Sequence, residues 1–268
     1  MKYFRHLVGI AIIIGFIVWI GPGKIILALS EISLLSILLL IILQIISQII
    51  SALALSFLLP YIPQGYYSLF SRASLISTIA PKGAEEATLG FLLVKAGIPL
   101  AETTRAIFLD RIATVFSILA SLIALPLIFN LISISFAIVL WCILILSGII
   151  LLYVFRKKNS GIVKNAILTG IRVLLWGITY LFLFRTVGTK SGAFFDFTVI
   201  PIAMQILSII PIPGGLGVTE FSAIFLFNKL GISPDITLTA YLIARVTSMI
   251  GTTIVAFAPR GRRNKLYE

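Results

Sequence analysis

Displaced by 134 residues, half of its length of 268, this sequence falls on itself. Gly83 lands on Gly217, Glu86 on Glu220, Phe91 on Phe225, Leu92 on Leu226 and Lys95 on Lys229. Further along, Gly97 lands on Gly231, Ile98 on Ile232, Thr103 on Thr237, Ala106 on Ala240 and Arg111 on Arg245. These ten identities fall between positions 83 and 111 without a gap. Apolar coincidences mean little in a chain that is 60% hydrophobic, but only 11% of the residues are charged. Coincident Glu, Lys, Arg and Gly therefore point to an internal duplication, with units of about 1–134 and 135–268.

What each unit folds into follows from its apolar runs. A mean hydropathy of +1.16 exceeds what a water-soluble core needs, and predicts an all-α polytopic membrane protein forming one integral membrane domain over 1–268. Long apolar runs cover 7–20, 32–59, 103–129, 131–155, 165–184 and 237–257. Two pairs of shorter arms, 66–80 with 87–96 and 199–210 with 221–227, are too short to cross a bilayer separately. Each pair flanks a break rich in glycine and proline, Pro81-Lys82-Gly83-Ala84-Glu85-Glu86 in the first half and Ile212 to Glu220 in the second. Irregular backbone at membrane depth survives only where protein or a wet cavity covers it, so each pair reads as a re-entrant hairpin. The first run follows Lys2 and Arg5 and ends at Trp19-Ile20-Gly21-Pro22 without a small-residue cleavage site, so it is read as a retained span. Ser30 is the expected N-cap of the second run. On that run Gln44, Ser47, Gln48 and Ser51 share a face, which is expected to meet other helices.

The repeat unit is then span, span, hairpin, span. Three crossings are odd, so the second unit must be inverted relative to the first, giving six transmembrane helices and two hairpins. Basic residues test this independently. With that parity Lys2, Arg5, Arg156, Lys157, Lys158, Lys164, Arg260, Arg262, Arg263 and Lys265 share one side, against Lys24, Arg185, Lys190 and Lys229 on the other. By the positive-inside rule both termini are cytoplasmic. A net charge of +12 carried beside apolar runs suits anionic lipid headgroups rather than nucleic acid. Cys142 is the single cysteine and His6 the single histidine, so neither an internal disulfide nor a Cys/His metal site is available, and no cofactor is expected.

Each break leads into a short half-helix whose first N–H groups lack intrahelical partners and whose dipole places partial positive charge at the deep end. Such ends hold phosphate and other anions. Glu86 and Glu220 sit at these ends. They either complement the helix dipole alone or pair with Arg111 and Arg245 in a contact that opens and closes; static ion pairs are the third alternative. A Ser/Thr-x-x-Glu capping box is absent, because positions 83 and 217 are both glycine. Asp110 is placed to satisfy Arg111 or Arg105; its counterpart is Ala244, so the halves differ chemically. Lys95 and Lys229 read as headgroup anchors where the hairpins return to the surface.

The run Pro211-Ile212-Pro213-Gly214-Gly215-Leu216-Gly217-Val218-Thr219-Glu220 with Arg245, and Ala80-Pro81-Lys82-Gly83 with Glu86 and Asp110-Arg111, resemble the flippase-like transmembrane domain of lysylphosphatidylglycerol synthases. Related domains occur in archaeal membrane proteins linked to protein glycosylation. The family more often shows an Ala-Gly-Glu-like version in its first half, so the first-half carboxylate stays open between Glu85 and Glu86. The resemblance implies translocation of a charged lipid across the cell membrane of a prokaryote, the lipid being an aminoacyl-phospholipid or a polyprenyl-phosphate-linked species. It implies a headgroup site drawn from Pro213, Gly214, Gly215, Gly217, Glu220 and Arg245, with Lys82, Gly83, Glu85, Glu86, Asp110 and Arg111. The soluble aminoacyl-transfer domain of the synthases does not accompany these residues, and no nucleophile–base cluster replaces it, so catalysis is not expected. Two other readings stand beside translocation: an ion-coupled transporter of a small polar solute, and an accessory subunit beside a lipid-modifying or glycosyltransferase partner.

Overall fold

Proline and glycine decide where the helices begin and end. The computed structural model describes residues 21–30, 32–79, 83–129, 133–156, 161–189, 194–204 and 218–258, together with positions 14 and 18. Within these residues the elements are α1 Pro22–Ser30, α2 Leu34–Ser56, α3 Tyr66–Ile79, α4 Ala84–Lys95 and α5 Leu100–Ile128. They continue with α6 Ile134–Arg156, α7 Gly161–Thr186, α8 Phe194–Ala203, α9 Val218–Lys229 and α10 Pro234–Phe257. No strand occurs among the described residues. Pro22 opens α1 and Pro234 opens α10, positions where the missing N–H costs nothing. Leu34–Ser56, Leu100–Ala124, Gly161–Thr186 and Pro234–Phe257 are long and apolar enough to cross a membrane. Much of the outward surface is large and apolar, including Leu34, Leu35, Ile134, Ile145 and Phe257. Hydrocarbon solvates such a surface; water does not.

The structure departs from the expectations at three places. Ser30 ends α1 and turns its Oγ back to the Leu27 carbonyl at 2.8 Å. The N-cap of α2 is Ser33, whose Oγ accepts from the Ser36 N–H at 3.1 Å. The residues 21–24, read as a break, already begin a helix at Pro22. Helix α8 begins at Phe194, ahead of the apolar arm expected to start at 199, and has Pro201 inside it. Positions 205–217, including most of the glycine-rich break, and nearly all of the first run at 7–20 lie outside the described residues.

The two halves agree in local structure at the register of 134. Adding 134 to Ala84–Lys95 gives 218–229, the bounds of α9, and adding it to Leu100 gives Pro234, the start of α10. Both half-helices stop the same way. Gly97 at φ +100° and Gly231 at φ +78° adopt a left-handed conformation that a side chain disfavours. The next N–H bonds back five residues, Ile98 to the Leu93 carbonyl at 3.1 Å and Ile232 to the Phe227 carbonyl at 3.0 Å. Helix α3 packs on α10, and α8, which meets the displaced α3 at 200–203, packs on α5, the counterpart of α10. Helix α2 packs on α7, its own counterpart.

Two cores hold the half-helices. Phe184, Phe197 and Phe227 join α7, α8 and α9, with Phe184 and Phe227 ring centres 4.6 Å apart. Around Tyr66, Leu89, Leu93, Ile98 and Ala106 a second core joins α3, α4 and α5, and the Tyr66 hydroxyl donates to the Ala52 carbonyl at 2.8 Å. Close helix approach depends on two glycines. A Cβ on Gly251 would come within 3.0 Å of the Gln44 Cβ, and one on Gly177 would collide with the side chain of Thr198. Gly177→Ala is therefore expected to destabilise by ~1–3 kcal/mol through overpacking, exceeding the ~1 kcal/mol that alanine contributes to helix propensity. The midpoint of thermal unfolding in detergent should fall in Gly177→Ala and recover in part in Gly177→Ala/Thr198→Ala.

Candidate functional site

Each half-helix starts with carboxylates in its first turn, Glu85 and Glu86 on α4 and Glu220 on α9. The positive end of a helix dipole favours them there. Gly83 precedes α4 at φ +92° and has no side chain to cap it, so the carboxylates are free to face elsewhere. They face arginines on the following helices. Arg245 Nε meets Glu220 Oε1 in a short ion pair, and Arg245 Nη2 donates to Thr219 Oγ1 at 3.1 Å. Thr219 in turn donates to Glu220 Oε2 at 2.9 Å. The Glu220 side chain is fully shielded, whereas that of Arg245 keeps 26% exposure. Tyr180 and Tyr241, with ring centres 5.3 Å apart, lie within the electrostatic reach of this pair.

The first-half arrangement sits at equivalent positions but is wider. Arg111 Nε lies 2.9 Å from Glu86 Oε1 without the angle of a hydrogen bond, and its Nη2 lies 3.8 Å from Glu85 Oε2. Ser74 on α3 donates to Glu85 Oε1 at 2.6 Å. Both carboxylates thus contact the arginine. Glu86 is the positional counterpart of Glu220, and Glu85 is additionally held by α3. Asp110 does not follow its expected partners: it is buried and accepts from Asn165 Nδ2 of α7 at 2.9 Å, while Arg105 lies 3.8 Å from Glu102. Helices of 29 and 24 residues position these groups, because Arg111 and Arg245 each lie about three turns into a long helix that packs along the short helix before it. Lys95 and Lys229 are exposed at the far ends of the half-helices, Lys229 stacking over the Phe225 ring at 4.7 Å. Lys82, Pro213, Gly214, Gly215 and Gly217 lie outside the described residues.

Tertiary packing adds groups that the motifs did not include. Arg172, mid-way along α7, is buried and donates through Nη2 to Thr114 Oγ1 of α5 at 2.8 Å. Its signal in the sequence was an arginine inside a long apolar helix. Trp176, one turn on, lies 5.8 Å from that guanidinium and donates to Ser47 Oγ of α2 at 3.0 Å. Gln48 reaches Ser71 of α3 at 3.4 Å, so the polar face of α2 does serve helix contacts. Beside Asp110, a cavity of about 310 Å³ lies between α5, α6 and α7. Its walls are mainly apolar, with Phe116, Leu144 and Ile162 among them and Asn165 at a polar point. Its wall residue Ile145 is 61% exposed, so the cavity reaches the apolar outer surface.

Fold and site together define a helical integral membrane protein that carries carboxylate–arginine pairs between its helices. The family model of the lysylphosphatidylglycerol synthase TM region matches residues 158–256, which supports the family that the sequence motifs resemble. No curated protein matches, and no solved structure does. A family of this kind points to a membrane function related to lipid.

Proposed function

We propose that this protein moves a charged, phosphate-bearing lipid between leaflets through a scaffold of six spans and two re-entrant hairpins, arranged as inverted repeats with both termini cytoplasmic. The observation that carries the reading is the equivalence of Glu86–Arg111 and Glu220–Arg245, each joining the first turn of a half-helix to the helix that follows. In an inverted arrangement the two positive helix ends converge near the bilayer midplane, where such folds bind substrate. There the arginines and half-helix N–H groups meet the headgroup phosphate, and the carboxylates release the arginines when their pairs open. Hydrocarbon chains stay in lipid; the cavity between α5, α6 and α7, open to the apolar surface, supports that route. The headgroup needs a polar track, since an unpaired charge in hydrocarbon costs several kcal/mol.

The test is translocation of fluorescent phosphatidylglycerol in vesicles. The wild-type protein is expected to move it, and Glu220→Gln and Arg245→Ala proteins that still fold are expected to slow it by about tenfold or more, the loss of one charge-assisted contact. Unchanged rates in both variants would remove these residues from the mechanism. Uptake of a small polar solute without lipid movement would transfer the same scaffold to the ion-coupled transporter reading.

A further inference from the structure

Helix α7 carries a polar stripe that the ion pairs do not use. Asn165, Thr169, Arg172 and Trp176 follow each other at spacings of four, three and four residues, so they share one face. That face is turned inward: Asn165 is 2% exposed, Thr169 1% and Arg172 6%. Two of these groups are under-used. Thr169 Oγ1 and Arg172 Nε are buried and have no hydrogen-bond partner among the described residues. A buried donor without an acceptor is costly, and more so when it is charged. Arg172 also has no carboxylate within ion-pair distance among the described residues, its direct contacts being the Thr114 hydroxyl and the Trp176 ring. Nearby, Arg111 presents a further buried Nε, already beside Glu86. Helix packing alone explains the Nη2 contact with Thr114. It does not explain why a guanidinium edge and a hydroxyl one turn apart both lack acceptors.

We infer that Thr169 and Arg172 form an anion site for a phosphate group, the guanidinium Nε–H and the threonine O–H donating to its oxygens while Thr114 and Trp176 hold the arginine in place. A guanidinium edge suits phosphate better than a point charge does, because its donors are planar and fixed. Asp110 and Glu85 act on Arg172 at longer range, against burial and the repulsion of Arg111. Asn165 joins the site to the outside: it lies on the same face as Thr169 and also lines the cavity between α5, α6 and α7. A phosphate at Arg172 can thus belong to a lipid whose chain occupies that cavity, or arrive free. The site has no counterpart in the other half, since 134 residues earlier stand Leu35 and Leu38, both exposed. The inference rests on the translocation reading for the lipid's purpose, but its binding test does not depend on movement.

Purified, lipid-stripped protein in detergent is titrated with phosphatidylglycerol, with diacylglycerol of the same chains, and with inorganic phosphate, and thermal unfolding is followed. Phosphatidylglycerol is expected to raise the midpoint and diacylglycerol is not, because ligand binding to the folded state alone stabilises it. A rise with inorganic phosphate as well assigns the site to free anions too; a rise with phosphatidylglycerol alone assigns it to lipid headgroups. Arg172→Gln is expected to weaken phosphatidylglycerol binding by about tenfold or more, and Arg172→Lys by less. Thr169→Val separates binding from packing. For a merely structural hydroxyl without a partner, its removal leaves binding unchanged; for a ligand group, apparent affinity falls several-fold while the unliganded midpoint is kept or raised. Equal stabilisation by phosphatidylglycerol and diacylglycerol, or wild-type affinity in both Thr169→Val and Arg172→Gln, would overturn the site. Binding through Arg172 without translocation in vesicles would leave the site standing and remove the translocation reading.

Discussion

Arg245→Ala is expected to destabilise the protein by ~3–5 kcal/mol, and by more than Glu220→Gln does. The two partners of this pair are not equally buried: Glu220 is fully shielded and Arg245 keeps 26% side-chain exposure. Removing the arginine takes away the countercharge of a carboxylate in a dry interior, where Thr219 still donates to it at 2.9 Å. Removing the carboxylate leaves an arginine with an outlet to its surroundings and a bond to Thr219. Thermal unfolding of Arg245→Ala, Glu220→Gln and the double variant in one detergent checks the order. The double variant should recover part of the loss, because the stranded charge is gone. If Glu220→Gln were the more damaging single change, burial of the carboxylate would not be what organises the pair.

At the equivalent position in the first half, neutralising both carboxylates is expected to have the second-largest effect, although neutralising either alone is mild. Arg111 has Glu86 at 2.9 Å and Glu85 at 3.8 Å, so each single Gln variant leaves a carboxylate in contact. The two are also 21% and 25% exposed, which screens them. Single losses of about 1 kcal/mol or less are expected, and about 2–3 kcal/mol for Glu85→Gln/Glu86→Gln, more than the sum of the singles. A double-mutant cycle read by thermal unfolding measures the excess. Additive losses would show that the two carboxylates do not share Arg111. The halves are thus expected to respond differently to the same chemistry: one tight, dry pair and one broader cluster that tolerates a change.

That difference was partly legible in the residues. Asp110 opposite Ala244, and Glu85 opposite Thr219, announced unequal halves. The structure assigns their roles: Asp110 is tied to α7 through Asn165, and Glu85 to α3 through Ser74. Thr219 takes the place of Glu85 beside the arginine and binds it as a hydroxyl. Ser33 rather than Ser30 is the cap, for a local reason. Ser30 and Ser33 are both competent N-caps, and only the chain path, with α1 ending at Ser30, selects the second.

Helix positions, the register of 134 and the turns at Gly97 and Gly231 were readable because they are local. A left-handed glycine, a proline at a first turn and a run of apolar residues act within a few positions of themselves. The pairing of Glu86 with Arg111 and Glu220 with Arg245 was readable as a candidate because scarce charges recur at one spacing along neighbouring helices. Arg172 is not marked by the repeat, because its counterpart 134 residues earlier is Leu38. Its surroundings come from two helices distant in sequence and from its own, with Thr114 on α5, Ser47 of α2 reached through Trp176, and Thr169 on α7 itself. Burial of a guanidinium beside a hydroxyl without an acceptor is a property of how those helices pack, and no spacing along the chain encodes it.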